Sequence, residues 1–370
     1  MKVLIVSGIW PPDVGGPASH APDVARFLAG RGHDVEVVTT AERAPAPEDY
    51  PVRWVSRSLP VGVRHVRGLA LVRSRARRAD VVYTTGMFGR SSAGALAAQR
   101  PYVVKLTADP AFERSRRRGL VAGDVDEFQE GGGGPVGFAL RRARNFELRR
   151  AAYVYCPSAY LRKLVLGWGI PAERVSVLPN PVPVQLPDSA ERLNGRTLVF
   201  AGRLTAQKSL GRALEAVASV EGVRLVIAGE GPDRDPLEER ARELGIADRV
   251  EFLGAQPRKR VVQLFRAADA SILSSSWENF PHTVVEALAV GTPVLAMDAG
   301  GVGEVVQDGV NGLLVPAGDT AALAGAVRRY FADDALRERL RGAAASSVAA
   351  YAPERVFGEL EATLRRVTRG

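Results

Sequence analysis

Two carboxylates, Glu278 and Glu286, stand on either side of Asn279-Phe280-Pro281. The first follows the run Ser274-Ser275-Ser276-Trp277, and the second lies in a short apolar run. Proline is favoured at a helix's first position, so the spacing predicts a helix beginning at Pro281. Glu278 then belongs to the loop before it and Glu286 to the helix itself. Such a junction exposes backbone N–H groups, which suit phosphates. The carboxylates beside it are strong acceptors for sugar or ribose hydroxyls. A molecule with both features is a nucleotide sugar. The same residues also fit an ordinary turn with one surface glutamate and one helix-facing glutamate.

Cations stand at a second such junction. Gly202-Arg203-Leu204 follows the apolar run Leu198–Ala201, and Lys208 comes shortly after. Fixed positive charge there would lower the barrier to departure of a nucleoside diphosphate, which gains charge as the sugar bond breaks. A solvated first-turn lysine and a surface ion-pairing arginine are the plain alternatives. Gly300-Gly301-Val302-Gly303-Glu304 and Gly15-Gly16 allow close backbone approach to phosphate or sugar oxygens. Gly229-Glu230-Gly231-Pro232 reads as a structural turn. Neither glycine pattern ends in Gly-Lys-Ser/Thr, so neither is a P-loop, and Trp10-Pro11-Pro12 interrupts any dinucleotide fingerprint. Asp109 follows an apolar run ending near 106. It could orient an acceptor hydroxyl, take its proton, or cap a helix. The histidines His20, His33, His65 and His282 form no HExxH pair, so no metal is expected.

These residues need a frame. Apolar runs at 2–6, 35–39, 81–83, 102–104, 153–155 and 175–178 alternate with helical patterns such as 20–29 and 159–166. That alternation predicts a layered α/β domain with a parallel sheet. Residues 181–196 hold three prolines and several polar residues and read as a linker. The pattern then restarts, with strands at 198–201, 223–228, 250–253, 270–273 and 293–297. Helices are expected near 208–219, 236–244, 257–267, 319–331, 334–348 and 353–367. The fold class is therefore α/β, with two Rossmann-like doubly wound domains, and a ligand is expected outside the carboxyl ends of the strands. Segment 106–136 looks irregular. It carries Arg114 to Arg118, acidic residues and the run Gly131 to Gly134, and reads as a long binding loop or a disordered stretch.

Bulk composition narrows the class further. At 370 residues the chain exceeds the usual size of one core. Its 46% hydrophobic and 25% charged residues are those of an ordinary globular protein. The formal charge of +9 comes mostly from arginine, but no basic patch is interleaved with aromatics, so nucleic acid is not an expected partner. Cys156 is the single cysteine, which precludes an internal disulfide and suits a reducing cytoplasm. The opening residues run straight into a strand without signal-peptide character, so a cytoplasmic location is expected.

The chain resembles glycosyltransferase family 4, whose members are retaining enzymes of the GT-B fold. The resemblance runs through "CPSAYLRKLVLGWGIPAERVSVLPNPV", "AGRLTAQKS", "LVIAGEGPDRDPLEERARELGIADRVEFLG", "ADASILSSSWENFPHTVVEALAVGTPVLAMDAGGVGEVV" and "DGVNGLLVP". The Glu278–Glu286 spacing matches the family's E-x7-E pattern. The resemblance implies an acceptor-binding domain over 1–182, a donor domain over 183–350, and a C-terminal helix over 351–370 that packs back toward the first domain. Arg203 and Lys208 would grip the donor diphosphate, and Glu286 would bind the ribose hydroxyls. Glu278 would hold the transferred sugar, and the backbone of Asn279, Phe280 and Pro281 would meet sugar and phosphates. Leu253 and Gly254 would line the base pocket, with Gly15 and Gly16 approaching from the other domain. No cofactor and no metal are implied. The co-substrate is a nucleotide sugar, with a UDP-sugar preferred, and the acceptor a small molecule or a glycan.

Three departures from the family pattern stand out. A frequent His-Asp pair is Ala108-Asp109 here, with Lys105 upstream as a compensating or merely structural residue. Glu-Gly-Phe becomes Glu278-Asn279-Phe280, where asparagine tolerates a left-handed backbone. Ser209 stands where a glycine commonly follows the lysine. An epimerase or hydrolase on the same fold, or a non-catalytic nucleotide-sugar-binding subunit, are the alternative readings, the second resting on Ala108. Peripheral membrane contact would need a basic, amphipathic surface. Arg73 to Arg78 and Arg114 to Arg118 are candidates, but a solvated charge run is the simpler explanation for each.

Overall fold

The computed structural model describes residues 1–369 apart from 12, 14–15, 122–124 and 184–190, and apart from the side chains of 16–19. Gly15 and Asp124 thus lie outside the described residues, as does part of the linker. The chain divides into two compact units. One holds Met1–Asn180 with Glu354–Gly370, and the other Pro181–Pro353.

The first unit is built on β1 (Lys2–Val6), β2 (Asp34–Ala41), β3 (Val52–Ser56), β4 (Val81–Thr84), β5 (Tyr102–Lys105), β6 (Tyr153–Cys156) and β7 (Val175–Val177). They form one sheet in the order β3-β2-β1-β4-β5-β6-β7, with every pairing parallel. The helices are α1 (Gly16–Gly30), α2 (Val61–Ala76), α3 (Phe88–Ala97), α4 (Pro110–Arg117), α5 (Val125–Gln129), α6 (Gly134–Arg149) and α7 (Ala159–Gly167). Strands buried on both faces explain the near-continuous apolar runs. One face packs Leu4, Val82 and Val104 against Val72 of α2, Ala95 of α3, Leu148 of α6 and Leu161 of α7.

The second unit contains β8 (Arg196–Ala201), α8 (Leu210–Ala218), β9 (Val223–Ala228), α9 (Arg234–Glu243), β10 (Val250–Gly254), α10 (Arg258–Ala267) and β11 (Ala270–Leu273). It continues with α11 (His282–Ala289), β12 (Val294–Asp298), β13 (Gly312–Pro316), α12 (Thr320–Ala332) and α13 (Asp334–Ser347). Its sheet runs β10-β9-β8-β11-β12-β13, again all parallel. The order reverses between β8 and β11, so the crevice outside their carboxyl ends is the topological switch point where ligands bind in such sheets.

The last helix, α14 (Pro353–Val367), belongs to the first unit from Glu354 onward. Val356, Phe357, Leu360 and Leu364 lie on its inner stripe and meet Ile5, Val24, Leu28 and Tyr83 on the sheet face opposite α2 and α3. Glu361 adds a polar clamp. It pairs with His33 at 2.9 Å, Arg365 at 2.6 Å and Arg31 at 3.3 Å. Burial pushes its pKa up, but the hydrogen bonds from His33 and Arg365 and the nearby Arg31 outweigh this and hold it at about 2. A carboxylate with a depressed folded pKa contributes stability above its unfolded value, and that contribution is lost as pH falls toward the folded one. Thermal melts should therefore fall between about pH 4.3 and the low value near 2. Glu361→Gln should flatten that part of the profile.

Segment 106–136 departs from the irregular loop its composition suggests. Its described residues include α4, α5 and the start of α6. Asp109 caps α4, and Pro110 follows in the first turn. The glycine run is a tight connection, with positive φ at Gly131, Gly133 and Gly134, leading into α6. Among the described residues no helix is long and apolar enough to cross a membrane.

Candidate functional site

The loops after β8 and β11 flank the switch point, and the structure stitches them together. Ser276 N–H donates to the Gln207 carbonyl at 2.9 Å, and Gln207 Nε2 donates to the Trp277 carbonyl at 2.8 Å. Ser274 Oγ donates to the Lys208 carbonyl at 3.1 Å. The result is a fixed spacing between a cation and a carboxylate. Lys208 Nζ meets Glu278 Oε1 at 2.5 Å, and Ser275 Oγ donates to the same oxygen at 2.7 Å. Glu278 is only 6% exposed, so its carboxylate is held by these partners rather than by bulk water.

The helix beyond begins one residue later than expected. Pro281 is the N-cap and α11 starts at His282. Glu286, on its buried side, accepts from Arg258 Nε of α10 at 2.7 Å. Burial raises the Glu286 pKa, and Arg258 partly offsets this by favouring the ionised form. Arg203 is exposed and has no side-chain hydrogen bond or ion pair among the described residues. The structure thus pairs Lys208 with Glu278 and Arg258 with Glu286, and leaves Arg203 exposed on the loop after β8. Arg258, Ser275 and Gln207 carried no recognisable signal in sequence, because a helix-start arginine, one serine of three and a loop glutamine are ordinary there.

Glycines make this packing possible. A Cβ on Gly229 would lie 1.8 Å from the Gly202 carbonyl oxygen, and one on Gly231 would lie 2.1 Å from that of Leu204. The turn after β9 must therefore be glycine to let the cationic loop lie against it. Gly300 has φ +62, and a Cβ there would sit 2.1 Å from the Glu278 carbonyl oxygen. The neighbouring Gly301 N–H donates to that oxygen at 2.9 Å. Gly300→Ala should cost about 1–3 kcal/mol from backbone strain and displace Glu278. A thermal melt beside a turnover assay would show both losses.

Leu253 is half-buried at the end of β10, where the pairing with β9 shifts register before Gly254. Gly254 has φ +70 and lies under the Glu230 carboxylate, which Arg234 pairs at 2.9 Å. Asn279 does not adopt the left-handed backbone its substitution for glycine suggested; Ser209 does, at φ 46 and ψ 40. A serine there carries about 1–2 kcal/mol of strain that glycine would not.

The residues of the first unit read differently. Gly16 opens α1. Asp109 is fully buried and caps α4, accepting from the N–H groups of Ala111 and Phe112. Its other oxygen accepts from Gln129 Nε2 at 3.0 Å and from the Arg144 guanidinium. The expectation that it handles an acceptor proton is corrected: no lone pair faces an open site, and the capping alternative describes it. Lys105 is also fully buried, donating to the carbonyls of Leu178 at 2.9 Å and Pro179 at 3.0 Å. Burial lowers its pKa to about 7. It braces β5 against the segment after β7 and is structural.

Two parallel-sheet α/β units, the second carrying paired cations and carboxylates at its switch point, define a GT-B glycosyltransferase. Residues 15–181 match the model described as glycosyl transferase 4-like domain, and residues 184–347 match glycosyl transferases group 1. The D-inositol 3-phosphate glycosyltransferase of Xylanimonas cellulosilytica is 31% identical over 375 residues, covering 90% of this chain and 88% of that one. The glycogen synthase of Mycobacterium tuberculosis is 28% identical over 381 residues, covering 93% and 89%. Among solved structures, Anabaena HepE in complex with UDP-glucose superposes with a TM-score of 0.80 at 21% identity, covering 99% and 100%. Sucrose-phosphate synthase of Thermosynechococcus elongatus gives 0.81 at 18% identity, covering 100% and 99%. The chain belongs to glycosyltransferase family 4.

Proposed function

We propose that this glycosyltransferase moves a sugar, with retention of anomeric configuration, from a UDP-sugar to an acceptor hydroxyl on a small molecule. The observation that carries the reading is the separate seating of the two carboxylates. Glu278 is held by Lys208 and Ser275, and Glu286 by Arg258, with exposed Arg203 alongside.

In this reading Lys208 and Arg203 receive the diphosphate, whose charge grows as the glycosidic bond breaks. Pre-placed cations stabilise that growing charge more than the ground state, which is what lowers a barrier. Glu286 accepts from the ribose hydroxyls. Glu278 accepts from the sugar, and the backbone of Asn279, Phe280 and Pro281 meets sugar and phosphates. Leu253 and Gly254 line the base pocket. The acceptor oxygen attacks from the face the diphosphate leaves, and the leaving phosphate takes the proton, so neither a metal nor an enzymic base is needed. The UDP-glucose bound to HepE supports UDP as the nucleotide. A cytoplasmic site of action fits a donor made there.

Proton NMR of the product tests the stereochemistry. With an α-linked UDP-sugar and a reactive acceptor, the small anomeric coupling of an α-glycoside is expected. A β-glycoside would sink the retaining mechanism.

A further inference from the structure

The first unit holds a cavity that the catalytic reading does not use. Its volume is about 390 Å³, within the range of small-molecule sites. It opens between α6, which contributes Phe138, Arg142 and Asn145 at helical spacing, and the second half of α7, which contributes Lys163 and Gly167. Gln129 of α5 and Trp168 complete the wall. α7 leads from the end of β6 back to the start of β7, its parallel neighbour. Its second half is therefore set back from the carboxyl edge of the sheet, where substrates bind in such folds.

The lining favours an anion. Arg141, Arg142, Arg144 and Lys163 border the cavity, and among the described residues no acidic side chain does. Arg144 is neutralised by Asp109, and Arg141 donates to the carbonyls of Phe128 and Gly132. Arg142 and Lys163 are exposed, and among the described residues neither has a carboxylate partner. Two aromatic rings stand beside them. Trp168 is buried, with its Nε1 donating to Gln129 Oε1 at 2.8 Å, and Phe138 lies 5.8 Å from the Arg142 guanidinium carbon. A planar apolar body fits the rings, and an attached phosphate monoester, with nearly two negative charges, matches the two cations. The same walls hold α4. Gln129 Nε2 donates to Asp109 Oδ2 at 3.0 Å, and the Arg144 guanidinium donates to the same oxygen. The other Asp109 oxygen caps α4 by accepting from the N–H groups of Ala111 and Phe112. Opening that cap frees two walls of the cavity, so by linkage a ligand that needs those walls in place makes the opening costlier.

We propose that this cavity binds a small soluble organic phosphate, its planar apolar body against Trp168 and Phe138 and its phosphate on Arg142 and Lys163, and that binding steadies α4 through Gln129, Arg144 and Asp109. α4 follows β5 at the carboxyl edge of the sheet. Occupancy of a site set back from that edge thus reaches the edge itself, through contacts made within the first unit alone.

Calorimetry of the full chain with 1-naphthyl phosphate tests the site, with 1-naphthol and inorganic phosphate as controls. The probe has about fifteen non-hydrogen atoms and should bind with a Kd of about 1 mM or below. Each control carries only half of the recognised chemistry and should bind about tenfold more weakly or worse. The double variant Arg142→Gln/Lys163→Gln changes only exposed positions, and a thermal melt would verify its fold. It should weaken probe binding by about tenfold or more. Hydrogen exchange at Ala111 and Phe112 reads the link to α4. With the probe at about ten times its Kd, exchange there should slow about tenfold in the parent, because openings that break the cap compete with binding. Four results would overturn the proposal. They are no binding of the probe, binding as tight to either control, binding unchanged in the double variant (attachment elsewhere, such as at Lys208), and exchange in α4 that the bound probe leaves unaltered.

Discussion

Replacing Lys208 with alanine should lower kcat/KM by about 10²–10³-fold, the usual cost of removing one pre-placed group that stabilises transition-state charge. Two effects combine. The diphosphate loses a cation, and Glu278 loses the partner now 2.5 Å from its Oε1. Its remaining negative charge then faces the phosphates uncompensated by that lysine. Lys208→Arg keeps the charge but spreads it over a planar fork, so it should recover only part of the rate. Circular dichroism should stay at the parent spectrum for both. An alanine variant within about threefold of the parent rate would remove Lys208 from the proposed machinery.

The second large effect is on stability. Asp109→Ala should destabilise the first unit by about 3–5 kcal/mol, the range for stranding one member of a buried ion pair. Arg144 is 3% exposed, and burial already lowers its pKa while Asp109 holds it up. The Trp168 ring, 3.6 Å from the guanidinium carbon, cannot replace a carboxylate. The cap of α4 is lost as well. Asp109→Asn should be milder, since asparagine still caps a helix, but it should melt well below the parent because the charge is gone. An Asn variant that melts with the parent yet transfers no sugar would instead make Asp109 part of the chemistry.

How far the sequence carried is visible in these same residues. Most strands of both sheets were legible because parallel strands buried on two faces leave unbroken apolar runs, as in Val223–Ala228; β13 was missed. α2 was not legible, and the reason is physical. It buries Gly68, Val72 and Ala76 and turns its larger valines outward, so its apolar pattern does not mark its inner face. β3 was hidden likewise, since Arg53 and Trp54 are both exposed. In the site, Glu278, Glu286 and Lys208 stood out by type and spacing. Arg258 did not, because its link to Glu286 exists only once α10 packs on α11. Asp109 shows the converse limit: a carboxylate after a strand looks the same in sequence whether it caps a helix or faces a substrate. Only its burial and its bond to Arg144 tell the two apart.

The most direct test of the donor site is a calorimetric binding screen of the full chain against UDP-, GDP-, ADP- and dTDP-sugars, repeated with Glu286→Ala. The expected result is selective binding of a UDP-sugar that the variant loses while its melting curve shows a folded protein. Absence of binding to every nucleotide sugar by the folded parent, or equal binding by parent and variant, would contradict the placement of the donor at Glu286.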